Sequence, residues 1–290
     1  MSDYGSPTVR RRRLAAELRR LRDRAHLTGD QVADQLGWSP SKISRYELAR
    51  TGLNPGEVEK LLDLYGVDDG KRDELLSLAR EARQRGWWEA YADALPENNL
   101  AYIGLEAEAS SVREWQVEVV PGLLQTEDYA RAVVRGFQRV VTIPPRQIER
   151  RLQARLERQR VLVRERPLEL EVVLDESVLL RRIGDNSVMD AQLRQLAEVS
   201  LLPNVTLQVL PLDQPHPLTL DSFVLLTFGE ERQTTLHDVV GAEHLTGELH
   251  LEGEADTYQY RLAFEVLAQQ SLDPGESREL ILKTAERVWP

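Results

Sequence analysis

The stretch LTGDQVADQLGWSPSKISRYE, residues 27–47, predicts two short helices joined by a tight turn. Thr28 carries a hydroxyl that can cap the first helix, and Gly37 can end that helix in the left-handed conformation. Ser39 is a good cap for the second helix, and Pro40 suits its first position because the N–H there has no helical partner. We therefore predict a helix-turn-helix element, around which the N-terminal part of the chain is built.

The second of these helices has polar side chains that suit DNA. Ile43 marks its inward face, and the small Ala33 on the preceding helix leaves room for the two helices to cross. Hydroxyl, ammonium and guanidinium groups near a helix start can donate hydrogen bonds to base edges and phosphates. An ordinary solvated polar face is the alternative interpretation. The predicted DNA-binding residues of this element are Thr28, Ser39, Pro40, Ser41, Lys42, Ser44 and Arg45.

Four consecutive arginines stand near the start of the chain. Residues 1–9 lack periodicity and are predicted to form a disordered tail, whereas Leu14, Leu18 and Leu21 form an apolar stripe within a helix predicted from Arg10 to Ala25. The arginines are interpreted as a free arm that either contacts a DNA groove or is merely solvated. The groove interpretation adds Arg10, Arg11, Arg12 and Arg13 to the predicted DNA-binding residues.

Two further helices complete the N-terminal module. Asn54 and Pro55 predict the start of one helix, Gly66 its end, and the next is predicted from Asp69 to about Arg85. Five predicted helices within residues 10–86 indicate that this part of the chain forms a compact all-α domain.

Length and charge favour a second domain of a different character. A chain of 290 residues suggests two domains on a prior of about 150 residues each. The net charge is −11, divided into +5 over residues 1–50 and −16 over the remainder. A basic head on an acidic body lets one end bind phosphates while the other repels them. With no Cys and no apolar run of about 20 residues, the chain is expected to be cytoplasmic and to lack thiolate metal sites.

Residues 87–290 predict an α+β domain. Short β-rich runs bounded by Pro, Asn or Gly outnumber the helices over residues 204–251, which favours an antiparallel or mixed sheet over a doubly wound one. Helices are predicted over 126–134, 145–164 and 188–202, and from about Glu254 and Pro274. The predicted strands are the short run in VEVVPGLLQ near 117–120, then 168–176, 205–210, 222–228, 234–240 and 248–251.

Two features of this domain have competing interpretations. The helix predicted over 145–164 carries seven arginines, which indicate either a second nucleic-acid surface or a helix with interleaved salt bridges that is solvated or binds a partner. The other feature is a cluster of possible metal ligands or acid/base groups whose spacing matches no metal or catalytic motif, so we predict no enzyme activity, no metal and no cofactor. That cluster comprises His237, Asp238, Glu243, His244, Glu248 and His250.

Residues 10–85 resemble the lambda-repressor-like helix-turn-helix domain of XRE-type regulators. The segments RGWWEAY (85–91), GLEAEASSVREWQVEVVPGLLQTEDYARAVV (104–134), LPNVTLQVLP (202–211) and EHLTGELHLE (243–252) resemble an actinobacterial family in which this domain precedes a conserved effector-like domain. The resemblance implies an antitoxin-like transcriptional regulator, often paired with a small protein encoded nearby. Two departures are Gly29, where such domains commonly have Gln, and HPLTLDSF at 216–223, where a Gly-rich segment is expected.

The sequence therefore predicts a DNA-binding transcriptional regulator. We expect a homodimer on double-stranded operator DNA, because two-fold operators double the contacts of one small module. The expected location is the cytoplasm, in association with the nucleoid, and control is expected through the C-terminal domain by a small partner protein or a ligand. The alternative is an antitoxin-like interaction protein whose main role is to bind and neutralise a small partner.

Overall fold

The computed structural model describes residues 7–49, 51–83, 86–138, 140–229, 238–244 and 247–290, with backbone alone at 7–9, 243–244 and 247–250. The chain divides into two compact units. The first contains the described residues up to Glu89 together with Ala101–Glu108, and the second contains Ala90–Leu100, Ala109–Phe228 and the described residues from Asp238 onward. The domain boundary placed at residue 87 stays a prediction.

Five α-helices form the first unit up to Glu81, as predicted. They are α1 (Pro7–Arg24), α2 (Gly29–Leu36), α3 (Pro40–Glu47), α4 (Pro55–Tyr65) and α5 (Asp69–Glu81). Their apolar faces meet in one core because the buried positions recur at helical spacing. The core residues are Leu14, Leu18, Val32, Ala33, Ile43, Tyr46, Leu53, Val58, Leu61, Leu62, Leu75 and Ala79.

The predicted helix signals act as expected at three of the four positions. Thr28 caps α2 in a reciprocal capping box with Gln31, and Gly37 ends α2 with φ of 65°. Asn54 caps α4 in the same way. Ser39 does not, because its side chain makes no cap hydrogen bond although its backbone is extended as a cap requires. Its Oγ lies 3.1 Å from the Oγ of Ser41 instead.

The N-terminal arm is the main correction in this unit. Helix α1 begins at Pro7, so the predicted disordered tail is wrong for residues 7–9, while residues 1–6 lie outside the described part of the chain. The four arginines at 10–13 therefore lie within a helix and do not form a free arm. The predicted apolar stripe explains this result. Burial of Leu14 and Leu18 stabilises the helix, and the four arginines that precede them are part of that helix.

A mixed sheet forms the centre of the second unit, as predicted. Its described strands are β1 (Ser111–Gln116), β2 (Glu169–Asp175), β3 (Val205–Leu210), β4 (Phe223–Thr227), β5 (Val239–His244) and β6 (Gly247–Leu251), and their order is β3-β2-β1-β4-β5-β6. β1, β2 and β3 are parallel to one another, whereas β4, β5 and β6 are antiparallel to their neighbours. Trp115 pairs with Phe223 across β1 and β4, and both side chains are buried.

Seven further α-helices are described after the first five. The described helices after the first unit's five are α6 (Glu97–Glu106), α7 (Glu127–Phe137), α8 (Pro145–Arg158), α9 (Ser177–Leu180), α10 (Asn186–Val199), α11 (Glu254–Gln270) and α12 (Pro274–Val288). Short 3-10 segments occur at Trp87–Tyr91, Gly122–Leu124 and Gln159–Leu162. Within the described ranges, no helix has the length and apolar character that a membrane span requires.

One predicted strand is wrong and another is displaced. The run at 117–120 is outside the sheet, and the strand is the preceding segment, β1. The side chains of Tyr129 and Gln125 bond the backbone N–H and carbonyl of Val120, so this segment has partners without strand pairing. The strand predicted over 234–240 is observed at Val239–His244; Asp238 is described but is not in the strand, and 234–237 lie outside the described residues.

Candidate nucleic-acid interface

Helices α2 and α3 cross at the turn between Gly37 and Pro40, and α3 presents one face to solvent. Ile43 and Tyr46 are buried beneath α3, and the ring of Tyr46 stands edge-on to that of Trp38 at a centroid distance of 6.0 Å. This packing fixes the rotation of the helix. The predicted residues that it leaves exposed are Ser39, Pro40, Ser41, Ser44 and Arg45, and Thr28 at the start of α2 is exposed as well.

Lys42 does not point away from the domain as the helical pattern predicts. Its Nζ donates to Oε1 of Glu57 at 2.7 Å, and it lies 4.1 Å from the centroid of the Trp38 ring. A cation over an indole face is attracted by the ring's quadrupole. Lys42 is therefore half-buried in contacts within its own unit, and these contacts hold α3 against the start of α4.

Glu57 is the centre of this arrangement. Its Oε2 accepts a hydrogen bond of 2.7 Å from the Tyr46 hydroxyl, while Oε1 accepts from Lys42. Burial disfavours the carboxylate, but the hydrogen bonds from Lys42 and Tyr46 outweigh burial and lower the pKa of Glu57. Burial and the bond to Glu57 raise the pKa of Tyr46 to about 12. The sequence predicted neither contact, because Glu57 lies on another helix, ten residues beyond the end of α3.

A groove of about 500 Å³ lies beside the exposed face of α3. Thr28, Gly29, Ser41 and Ser44 line it together with Arg19 from α1. A Cβ on Gly29 would meet only the side chain of Ile43 at 3.7 Å, so the groove is open at this position. Arg19 was not among the predicted DNA-binding residues, although its place outside the leucine stripe of α1 was a signal that could have found it.

Arg22 and Glu47 line the same groove and form an ion pair. Arg22 Nε donates to Oε1 of Glu47 at 2.6 Å, and its Nη1 donates to the carbonyl of Leu27 at 2.8 Å. These bonds join α1 to the end of α3 and to the segment that precedes α2. Because the Arg22 charge is paired with a carboxylate, this residue positions the two helices of the element.

The four arginines at 10–13 do not form a separate arm beside the exposed residues of α3. Arg10 is 8% exposed, and its Nε lies 3.4 Å from Oε2 of Glu81 on α5. The guanidinium of Arg11 lies against Gly52 in the connection between α3 and α4. Arg11, Arg12 and Arg13 are all half-buried. Solvation of a free arm, the alternative interpretation, is therefore also wrong for these residues.

The arginines of the second unit hold their own unit together. Arg150 Nε donates to Asp93 at 2.9 Å, and Arg151 Nε donates to the carbonyl of Ala94 at 2.8 Å. Burial lowers the pKa of Arg151. Intramolecular partners also occur for Arg155, Arg160 and Arg164. These contacts within the unit disfavour a second nucleic-acid surface, but three of the five go to carbonyl or amide oxygens, so they support the salt-bridged interpretation only in part.

The cluster considered for metal binding or catalysis is mostly outside the described part. His237 and the side chains of Glu243, His244, Glu248 and His250 are not described, and Asp238 forms an ion pair with Arg261. In the described ranges, no group of three or more His, Asp or Glu residues could hold a metal ion.

The segment HPLTLDSF crosses the carboxyl ends of the parallel strands. His216 Nε2 lies 3.2 Å from the carbonyl of Pro211, and its Nδ1 lies 3.5 Å from Oδ2 of Asp175 at the end of β2. Trp115 Nε1 donates to the carbonyl of Leu220 at 3.2 Å. A groove of about 520 Å³ lies at the residues that precede this segment, lined by Glu176, Pro211, Leu212, Asp213, Gln214, Leu272 and Leu280.

Family models match both parts of the chain. Residues 13–75 match a helix-turn-helix domain, which covers α2, α3 and α4 whole, and residues 100–283 match a domain described as a domain of unknown function, DUF5753. No curated protein and no solved structure matches the chain. The first match agrees with the cap and turn geometry of α2 and α3, and helix-turn-helix domains are DNA-binding modules. The second match covers more than half of the 290 residues, and the chain therefore belongs to the DUF5753 family, with a helix-turn-helix domain ahead of the family's domain.

Proposed function

We propose that this protein is a sequence-specific DNA-binding transcriptional regulator. The observation that carries the proposal is the exposed face of α3, where Ser41, Ser44 and Arg45 follow the turn that the left-handed Gly37 makes at the end of α2. A guanidinium there can donate two hydrogen bonds to the O6 and N7 of guanine, and serine hydroxyls can bond base edges or phosphates. Arg45 is therefore the proposed base reader, and Lys42 the residue that positions α3.

The charge distribution supports this assignment. Residues 1–50 carry +5 and the remainder −16. Phosphate contacts supply most of the affinity of a DNA-binding protein, so a basic N-terminal unit binds while an acidic body is repelled. The proposal includes an XRE-type protein that acts as a homodimer on an operator in the cytoplasm, in association with the nucleoid. Its DUF5753 domain transmits a signal from a small partner protein or a ligand, without catalysis or a cofactor.

Binding to the DNA upstream of its own gene tests the proposal. Arg45→Ala is expected to weaken operator binding by about 1 to 3 kcal/mol and to relax specificity at one base pair. Arg80→Ala is the matched control, because it removes the same charge from an exposed position on α5, outside the helix-turn-helix element. Fluorescence anisotropy at fixed salt measures both. If Arg45→Ala combined with Ser41→Ala bound the operator as tightly as the wild type, the assigned face would be wrong.

The acidic body favours one alternative function, that of an antitoxin-like protein whose main role is to bind and neutralise a small partner. The −16 charge outside residues 1–50 provides a surface that suits a basic partner. Co-expression with the product of the neighbouring gene, followed by size-exclusion chromatography, tests it. A stable complex whose partner regains its activity on separation supports the alternative, and operator binding without any such complex contradicts it.

A further inference from the structure

Two arginine side chains near the start of α1 have a buried donor that no acceptor satisfies. Among the described residues, Nε of Arg11 and Nε of Arg13 are buried and have no hydrogen-bond partner. Their neighbour Arg10 lies beside Glu81 instead. A buried N–H without an acceptor has lost the hydrogen bonds of water and gained none in the protein, which costs free energy. Buried polar groups in folded proteins are nearly always paired, so these two donors require an explanation.

Arg11 lies beside the segment that follows α3. Its Nε, Cζ and Nη2 are 3.6, 3.9 and 3.9 Å from the position that a Cβ on Gly52 would occupy. Gly52 is exposed and belongs to the connection between α3 and α4. Because Gly52 has no side chain, room remains next to the guanidinium that another residue would fill.

The face of α1 that carries Arg11 is the face that meets α3. Arg22 lies eleven residues further along α1, which is close to three helical turns, so the two arginines share this face. Arg22 bonds Glu47 at the end of α3. The rise of a helix places Arg11 about 16 Å from Arg22 along the axis of α1. Arg11 therefore stands to one side of the exposed face of α3, next to the chain that leaves this helix.

We propose that Arg11 binds a phosphate of the DNA backbone when α3 occupies the major groove, an inference that rests on the proposed function. A guanidinium can donate two parallel hydrogen bonds to phosphate oxygens. When the side chain turns toward that phosphate, a buried donor without an acceptor is exchanged for charge-assisted hydrogen bonds. A phosphate contact fixes the position of the protein on the duplex and carries no sequence information, whereas Arg45 is the proposed base reader.

Arg13 provides a matched control for this proposal. It is the same residue type on the same helix, it is half-buried as Arg11 is, and it has the same unpaired Nε. Two residues along a helix turn a side chain through about 200°. Arg13 therefore lies on the side of α1 opposite to the face that Arg11 shares with Arg22, and it differs from Arg11 in position alone.

The salt dependence of DNA binding tests the contact, because each phosphate that the protein neutralises adds about 0.9 to the slope of log K against log salt. Arg11→Met keeps the apolar stem and removes the charge. We expect the slope to fall in magnitude by about 1, and the affinity at about 0.1 M salt to fall about 8-fold. Arg11→Lys should restore most of the slope. Fluorescence anisotropy measures these values between about 50 and 200 mM salt.

The affinity should fall by the same factor for the duplex upstream of the gene and for a scrambled duplex of equal length, and Arg13→Met should leave the slope unchanged. An equal fall in slope for Arg13→Met would show that α1 acts through its net charge, without a site at Arg11. A loss confined to the upstream duplex would assign Arg11 to base reading. Either result would contradict the inference.

A free anion is the other source of the same chemistry, and thermal unfolding with inorganic phosphate distinguishes it. If phosphate raised the melting temperature of the wild type but not of Arg11→Met, while the two salt slopes agreed, Arg11 would hold a free anion and the inference would be wrong. An unchanged slope in Arg11→Met with intact operator binding overturns this inference alone. A wild type that binds neither duplex overturns the proposed function as well.

Discussion

Replacing Glu57 by Ala should loosen the exposed helix α3 without touching its exposed residues. Glu57 lies in the first turn of α4, and its two carboxylate oxygens accept from Lys42 and from the Tyr46 hydroxyl at 2.7 Å each. Alanine removes both acceptors. Tyr46 is 7% exposed, so its hydroxyl would have little access to water in exchange. The expected result is a lower free energy of unfolding for the part of the domain that includes α3.

The size of the loss follows from these contacts. A hydrogen bond to a charged group contributes about 1.5 to 3 kcal/mol. An ion pair such as that of Lys42 with Glu57, whose side chains are 27% and 28% exposed, adds at most about 1 kcal/mol. The carboxylate's third contact, to the backbone N–H of Asn54, is long at 3.4 Å and adds little. We therefore expect a loss of about 2 to 4 kcal/mol, a large share of a typical domain's stability.

Native-state hydrogen exchange on the full chain measures this loss at the amides of α3 and α4. Glu59→Ala is the matched control on the same helix, because Glu59 is 56% exposed and shares Arg72 with Asp63. The control is expected to cost no more than about 0.5 kcal/mol. If Glu57→Ala and Glu59→Ala reduced the protection of α3 equally, Glu57 would not anchor that helix.

Three further predictions concern Tyr46, Gln192 and Gly37. The pKa of Tyr46 is raised to about 12, so the stability that it contributes is fully present below pH ~10 and is lost as pH rises through about 12. Urea unfolding from pH 9 to 12 should show this loss in the wild type and less of it in Tyr46→Phe. Gln192→Ala should cost about 2 to 4 kcal/mol in urea unfolding, because the buried amide bonds both Thr126 N–H and Leu124 carbonyl at 2.8 Å. The same change at the half-buried Gln195 of α10 is the control, and a loss at Gln192 no larger than at Gln195 would contradict this. Gly37→Ala should lower the free energy of unfolding, measured by thermal denaturation, by about 1 kcal/mol, because φ is 65° there. An unchanged free energy of unfolding would show that the turn tolerates a Cβ.

The N-terminal fold was predictable because its signals are local. Thr28, Gly37, Asn54 and Pro55 specify where helices start and stop through contacts within four residues, and the structure has helix ends at these positions. The strands of the second unit were predicted almost as closely, since β3 coincides with the predicted run 205–210. Alternation and flanking turn residues are again properties of a short stretch of sequence.

The failures share a different cause. Lys42 was expected to face outward because its place on the helix suggested it, yet a carboxylate on the next helix and the ring of Trp38 bind it. Arg10 was expected in a mobile arm, but Glu81, 71 residues along the chain, is its partner. The segment at 117–120 has the sequence pattern of a strand, but the side chains of Tyr129 and Gln125 form hydrogen bonds with the backbone of Val120 in place of a neighbouring strand. Helical periodicity indicates which face is polar, but only tertiary contacts decide which polar groups are already bound.

This distinction changes how the candidate interface should work. Of the cations first assigned to DNA, Lys42 is bound by Glu57 and Arg10 lies beside Glu81, whereas Arg45 is exposed on α3. Arg19, which was not predicted, lines the adjoining groove. A positive charge already paired with a carboxylate gives up part of that pairing when it binds a phosphate, so its net gain is small. An exposed guanidinium loses only hydration. Affinity and specificity should therefore depend on Arg45 and Arg19 more than on the number of basic residues in the first fifty.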